Sequence, residues 1–147
     1  MKKTIKNRVI WTNGCFDIIH PGHIELFKYA KSKGDLLFVG IDTDKRVKEL
    51  KGESRPINSQ EDRKKVLEAI RYIDKVFLFG STDEMECILA ETGVDVIVIG
   101  DEYIGRKITG ENICEVDFFK KIHYVSTRFP IQVSRWFIGQ NKFWVNH

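Results

Sequence analysis

The sequence predicts an α/β fold, a three-layer α/β/α sandwich around a mostly parallel five-stranded sheet. Short runs of apolar and β-branched residues alternate along the chain with longer amphipathic runs, which is the pattern of βαβ units. No repeat, linker or low-complexity tract interrupts this alternation. The chain has 147 residues, of which 42% are hydrophobic, which suits one domain with a buried core. We therefore expect residues 1–147 to form a single domain with a Rossmann-like arrangement.

Strand-like and helical runs can be assigned in order. The predicted strands are short and mainly apolar: residues 8–12, 36–41, 72–79, 94–99 and 123–126. The predicted helices are amphipathic or capped: residues 22–32, 44–50, a helix that begins at 59, residues 83–92 and a turn at 134–137. We expect Gly34 to end the first helix in a left-handed cap. Ser59 with Asp62 resembles a capping box, and the helix that it starts carries Val66, Leu67 and Ile70 on one face.

Composition excludes several classes of partner. The 24 basic and 21 acidic residues are mixed along the chain and leave a net charge of only +3, so we expect no nucleic-acid or membrane partner. The three cysteines are odd in number and far apart, which favours reduced thiols in a cytoplasmic protein and provides no zinc motif. No run approaches the roughly 20 apolar residues of a membrane span, and the N-terminus lacks the pattern of a signal peptide.

The most informative segment is residues 12–23 (TNGCFDIIHPGH), which links the first strand to the first helix. Ligands of open parallel sheets bind at the carboxyl ends of the strands. Backbone N–H groups near Cys15 and Phe16, with those of the helix start, attract an anion. His20 and His23 share one face and can donate to phosphate oxygens, while Gly22 allows close approach.

Asp17, within the same segment, has two interpretations. Its carboxylate either braces the turn by accepting backbone N–H groups or has a metal-binding or catalytic role. Bracing is the favoured interpretation, and Asp17 is also counted with the residues of this segment that contact the nucleotide.

The segment His20-Pro21-Gly22-His23 resembles the His-x-Gly-His signature of the nucleotidyltransferase superfamily, which includes cytidylyltransferases and heptose-phosphate adenylyltransferases. Two further segments are similar to the heptose type: residues 48–57, with LKGESRPI at 50–57, and residues 100–110, with GDEY and ITG. Residues 70–76 (IRYIDKV) resemble glycerol-phosphate cytidylyltransferases instead. The resemblance covers about residues 8 to 125.

The resemblance implies an enzyme that joins a nucleoside triphosphate to a phosphorylated sugar or polyol and releases pyrophosphate. It implies that His20, His23 and Lys48 are catalytic and that Lys51 helps to hold the triphosphate. Arg55 or Arg63 would bind the acceptor's phosphate. Mg²⁺ would be shared by the phosphates with few or no protein ligands. The alternative for each cation is a solvated side chain, and for Arg63 a local ion pair with Glu61 or Asp62.

The segments expected to contact the nucleotide match the family pattern less closely than residues 12–23 do. Asp101, after the fourth strand, either caps the next turn or contacts the nucleotide through its base or ribose. Family members typically carry consecutive hydroxyl residues near the end, whereas residues 128–136 read RFPIQVSRW. Ser134 is expected to cap a helix and touch a phosphate, with Arg128 or Arg135 adding charge. The apolar residues at 136–137 and 143–145 close the core, or pack against a partner in a homodimer.

These observations favour adenylyl transfer to a sugar 1-phosphate of the heptose kind, because two segments match that type. The alternative reaction is cytidylyl transfer to glycerol 3-phosphate or a similar polyol phosphate. The alternative of another class is a nucleotide-binding module without turnover, which the altered C-terminal motif suggests. The histidine pair and Lys48 weigh against such a module.

Overall fold

The computed structural model describes residues 6–120. Within them lies one parallel sheet of five strands, ordered β3-β2-β1-β4-β5. The strands are β1 Val9–Gly14, β2 Leu36–Asp42, β3 Lys75–Phe79, β4 Val96–Gly100 and β5 Glu115–Phe119. The helices are α1 Pro21–Ser32, α2 Asp44–Lys51, α3 Gln60–Glu68 and α4 Thr82–Thr92, and a 3-10 turn follows β4 at Asp101–Tyr103. The predicted α/β fold with a parallel sheet is confirmed.

Helices cover both faces of the sheet. On one face Phe27 of α1 and Leu67 of α3 pack against the inward residues of the strands in one buried cluster. On the other face Met85 and Leu89 of α4 pack around Trp11 in a second cluster. Because β1 is buried on both faces, its first three residues, Val9, Ile10 and Trp11, are all apolar instead of alternating with polar residues. The three layers follow from this arrangement.

The order of the strands determines where a ligand binds. From β1 the chain moves outward through β2 to β3, then returns to place β4 on the other side of β1 and β5 beyond it. The direction of winding therefore reverses between β1 and β4. A crevice forms outside the carboxyl ends of the strands at such a reversal, and the segment 12–23 leaves β1 at this edge.

Two local predictions were wrong. Gly34 does not form a left-handed cap, because α1 ends with Lys33 in right-handed geometry and positive φ angles occur at other glycines. Gly34 is required for space instead, since a Cβ there would lie 2.7 Å from the Arg8 carbonyl oxygen. Val66, predicted on the core face of α3, is 52% exposed. The buried positions of α3 are Arg63 and Leu67, one helical turn apart.

One strand of the described sheet was missed in the sequence-based prediction. In the described residues the strand beside β4 is β5 at Glu115–Phe119, a segment whose residues are only half-buried or exposed and therefore gave a weak apolar signal. The predicted strand at 123–126 and the turn at 134–137 lie outside the described residues. No helix among the described residues is both long enough and apolar enough to cross a membrane.

Candidate nucleotide site

The loop after β1 is held in an unusual backbone conformation. Phe16 has a φ of 47°, in the left-handed region that bulky residues seldom adopt. Its buried ring contacts the rings of His23 and Phe27 edge to face, at centroid distances of 5.2 and 5.1 Å. A Cβ on Gly14 would lie 3.0 Å from the same ring. The aromatic contacts therefore fix the path by which the chain leaves β1 and enters α1.

The two histidines cap α1 reciprocally. His20 is the N-cap residue, and its Nδ1 accepts from the Gly22 N–H at 3.1 Å. The His20 N–H donates to Nδ1 of His23 at 3.3 Å. Because each Nδ1 accepts a backbone N–H, each neutral ring carries its proton on Nε2. The rings stack with centroids 3.6 Å apart, so the two rings are held together at the start of the helix.

Gly22 has no room for a side chain. A Cβ there would lie 2.9 Å from Cε1 of His20 and 3.0 Å from its Nδ1. The glycine of the signature thus lets the His20 ring fold over the first turn. A larger residue at position 22 would collide with the His20 ring.

Asp17 ties the loop after β1 to a distant segment. Its side chain is 1% exposed and accepts from the backbone N–H groups of Ile57 and Asn58, at 2.7 and 2.8 Å. It also accepts from Arg55 at 3.2 Å. These bonds match the bracing interpretation in kind, but the donors lie about 40 residues away instead of in the same turn. A direct contact of Asp17 with the nucleotide stays a prediction.

Arg63 is also a brace. The residue is 2% exposed, and each of its three nitrogens donates a hydrogen bond: Nε to the Asn58 carbonyl, Nη1 to the Cys15 carbonyl and Nη2 to the Asp44 carboxylate. The expected local pair with Glu61 or Asp62 is replaced by the pair with Asp44. Arg63 therefore joins the loop after β1 to α2 and α3, and we do not place it in the acceptor site.

Three other predicted cations lie on α2 and the loop after it. Lys48 is exposed and Lys51 is the last residue of α2. The side chain of Arg55 is 20% exposed and pairs with Asp17. The structure thus holds Arg55 against the loop after β1 while part of its side chain still reaches solvent.

Cys15 contributes through its backbone. Burial raises the pKa of its thiol, although the charges of Lys51 and Arg63 oppose this shift. The sulfur therefore stays protonated at neutral pH and is not a nucleophile.

The structure brings part of the predicted nucleotide side to the same edge. Asp101 is half-buried and begins the 3-10 turn directly after β4, where its carbonyl accepts from the Ile104 N–H at 3.1 Å. Either predicted role of its carboxylate fits this position. Arg128 and Ser134 lie outside the described residues.

Sequence reasoning missed several residues of this edge. Asn58 donates its side-chain amide to the Asp17 carbonyl at 2.7 Å. Asp42, 1% exposed at the end of β2, accepts from Nε of Arg46 at 2.8 Å. Burial raises the pKa of Asp42, and Arg46 opposes the shift. An acid that ends an apolar strand, with an arginine four residues later, is the sequence signal for this pair.

Among residues 6–120 no group of three or more histidine, cysteine or acidic side chains could hold a metal ion. The acids nearest the loop after β1 already bind protein groups: Asp17 with Arg55, Asp42 with Arg46 and Asp44 with Arg63. Within residues 6–120 these carboxylates are therefore engaged by arginines.

Known proteins resemble this chain in sequence and in fold. Residues 11–140 match the cytidylyltransferase-like family. The bifunctional protein HldE of Campylobacter concisus is 44% identical over 108 residues, which are 74% of this chain and 23% of that protein. HldE of Wolinella succinogenes is 44% identical over 106 residues, or 72% and 22% of the two chains. The chain thus spans less than a quarter of the length of these curated relatives.

A solved structure shares the fold. The lipopolysaccharide core biosynthesis protein from Thermoplasma volcanium GSS1 superposes with a TM-score of 0.66 at 23% identity, over 80% of this chain and 99% of that one. The family match covers most of the sequence and includes the histidine pair and the loops around it. This protein belongs to the cytidylyltransferase-like family of nucleotidyltransferases.

Proposed function

We propose that this protein transfers an adenylyl group from ATP to a sugar 1-phosphate of the heptose type and releases pyrophosphate. The observation that carries the proposal is the reciprocal cap of His20 and His23, which fixes both rings at the helix start beside the reversal of the sheet. Each ring uses Nδ1 as an acceptor from the backbone. Each neutral ring therefore carries its proton on Nε2, the atom that we assign to phosphate oxygens.

The reaction needs positioning and charge neutralisation more than a covalent intermediate. An oxygen of the acceptor's phosphate attacks the α-phosphorus in line, a new P–O bond forms, and the bond to the bridging oxygen breaks so that pyrophosphate leaves. His20 and His23 donate to the α-phosphate and bridging oxygens as negative charge develops. Lys48 and Lys51 neutralise the triphosphate from α2, while Arg55 binds the acceptor's phosphate.

The residues at this edge suit Mg²⁺ that arrives with the nucleotide. Because Asp17, Asp42 and Asp44 are paired with arginines, the described protein groups leave the ion's ligands to phosphates and water. Bound in this way, Mg²⁺ would supply positive charge to the triphosphate. On the nucleotide side Asp101, Arg128 and Ser134 remain the predicted contacts.

The choice of substrates depends on segments outside the histidine pair. Residues 48–57 and 100–110 are similar to the heptose type, and the relatives named HldE support the same choice. Residues 70–76 favour the second candidate, cytidylyl transfer to glycerol 3-phosphate. We also expect a cytoplasmic protein without a nucleic-acid or membrane partner, as the composition indicates. A homodimer is one of the two interpretations of the apolar residues at 136–137 and 143–145.

Pyrophosphate release tests the proposal directly. The full chain is incubated with Mg²⁺ and either ATP or CTP, against heptose 1-phosphate, other sugar 1-phosphates and glycerol 3-phosphate. Release with ATP and heptose 1-phosphate alone supports the proposal, whereas release with CTP and glycerol 3-phosphate supports the second candidate. If no pair of substrates releases pyrophosphate, although the protein binds a nucleotide by calorimetry, both candidate reactions are contradicted. This result indicates a binding module or another acceptor. His23→Ala is the matched control for contaminating activity.

A further inference from the structure

Arg46 occupies a position that helix electrostatics disfavour. It is the third residue of α2, and its N–H donates to the N-cap side chain of Thr43. A cation in the first turn meets the positive end of the helix dipole, which is unfavourable. Its partner Asp42 is 1% exposed, and a carboxylate is costly to bury even when it is paired. Two unfavourable placements side by side suggest a role other than stability.

The guanidinium of Arg46 is fixed on two sides. Its Nε donates to Asp42 Oδ1 at 2.8 Å, and its carbon lies 5.6 Å from the centre of the Phe79 ring. Asp42 and Phe79 face each other in register at the carboxyl ends of β2 and β3. The side chain is 19% exposed. Within residues 6–120 no hydrogen bond uses its Nη groups, so these donors are oriented and available.

The sheet places these donors on the acceptor's side of the site. Gly14, where β1 ends, is in register with Ile41, so Asp42 lies beside the start of the loop after β1. β4 lies on the opposite side of β1, about 10 Å from β2 at the usual spacing of strands. A nucleotide in the crevice between β1 and β4 leaves the β2 side of the histidines for the second substrate.

We propose that Arg46 contacts the acceptor through its Nη groups and that Asp42 is a positioning residue that holds Arg46 in place. The inference rests on the proposed function, since it assumes a phosphorylated acceptor beside the histidine pair. The ligand atoms are oxygens, either of the acceptor's phosphate or of its hydroxyl groups. The side chain serves affinity for the acceptor and leaves nucleotide binding unchanged.

Steady-state kinetics and calorimetry with Arg46→Gln test this assignment, and Lys45→Gln on the same turn is the matched control because Lys45 is exposed. Loss of a hydrogen bond from a charged donor predicts a KM for heptose 1-phosphate raised about ten-fold or more. The KM for ATP and kcat should stay within about two-fold. Arg46→Lys should recover part of the loss, and Asp42→Asn should raise the acceptor KM without affecting that of ATP. Equal KM values in Arg46→Gln and wild type, or a rise for ATP alone, overturn the proposal.

Two further experiments identify the atoms that Arg46 contacts and distinguish failure of the Arg46 assignment from failure of the proposed reaction. Inorganic phosphate is tested as a competitor: an inhibition constant weakened by Arg46→Gln identifies phosphate as the contact, and an unchanged one identifies the hydroxyl groups. If the wild type shows no turnover, calorimetric titration with heptose 1-phosphate and glycerol 3-phosphate replaces kinetics. Binding that Arg46→Gln abolishes then supports Arg46 while the proposed reaction fails. Binding that the variant keeps, or no binding by the wild type, overturns the Arg46 assignment.

Discussion

Replacing Arg63 by methionine separates its two interpretations, because a brace and a substrate ligand fail differently. Methionine has a similar length and no donors, so the Cys15 carbonyl, the Asn58 carbonyl and the Asp44 carboxylate each lose a hydrogen bond. The Cys15 carbonyl contact is fully buried, whereas Asp44 is 34% exposed and can be hydrated again. The loss of stability therefore comes chiefly from the unpaired carbonyl in the loop after β1.

The magnitude follows from these contacts. Removing one partner of a buried ion pair costs about 3 to 5 kcal/mol, and the exposure of Asp44 places this site at the lower end. A domain of this size has a total stability of roughly 5 to 15 kcal/mol. With a urea dependence of about 2 kcal/mol per molar, a loss of about 3 kcal/mol lowers the unfolding midpoint by about 1.5 M.

Urea unfolding followed by circular dichroism measures this shift, with Lys64→Met as the control on the same helix. Lys64 makes only a partly exposed pair with Glu68 at 3.6 Å, so its replacement should change stability by less than about 1 kcal/mol. An Arg63→Met protein with the wild-type midpoint and a strongly raised KM for the acceptor would refute the brace. It would return Arg63 to the substrate site.

The start of α1, the helix α2 and the buried thiol of Cys15 give four further predictions. His23→Ala should lower kcat by roughly 10²- to 10³-fold in pyrophosphate release with an unchanged circular dichroism spectrum, and normal turnover would exclude His23 from charge stabilisation. Lys48→Ala should lower kcat more than it raises the KM for the nucleotide, and an effect on KM alone would argue against a transition-state role. Gly22→Ala should displace the His20 ring and reduce turnover by up to roughly 10²-fold, so wild-type rates would show that the ring has space. Because burial raises the pKa of Cys15, its alkylation in the folded protein should begin at higher pH than in urea, and identical pH profiles would disprove this.

Local periodicity and motif position predicted most of the elements, since the strands β1, β2 and β4 are strongly apolar and buried on both faces. The failures arose where a distant residue decides the outcome. Gly34 is glycine because of a strand that begins at Val9, and Arg63 is buried because Asp44 and the Cys15 carbonyl need its donors. β5 lies at the edge of the described sheet and pairs with a neighbour, β4, on one side. Its residues are only half-buried or exposed, so its apolar signal in the sequence is weak.

The candidate site shows the same limit. The histidine pair can be located from the sequence because the His-x-Gly-His signature and the local cap of α1 use the same four residues, so the pattern is contiguous. Asp17 was assigned a bracing role correctly in kind, but its donors at Ile57 and Asn58 follow from a loop closure that no local pattern encodes. The pair of Asp42 and Arg46 is local in sequence, yet only its burial distinguishes it from an ordinary surface pair.

Three acids near this edge would repel the phosphates of the proposed triphosphate site if they were unpaired. Their pairing with arginines removes this repulsion. An unpaired carboxylate about 6 Å from a phosphate charge, at an effective dielectric of about 20, repels it by roughly 3 kcal/mol. Asp17, Asp42 and Asp44 each bind one arginine, so their charges are balanced locally. In the proposed site the lysines of α2 would supply the excess positive charge, while the carboxylates hold the arginines and loops in place. Counting charges along the sequence cannot reveal this division, because it depends on which acid meets which base across the fold.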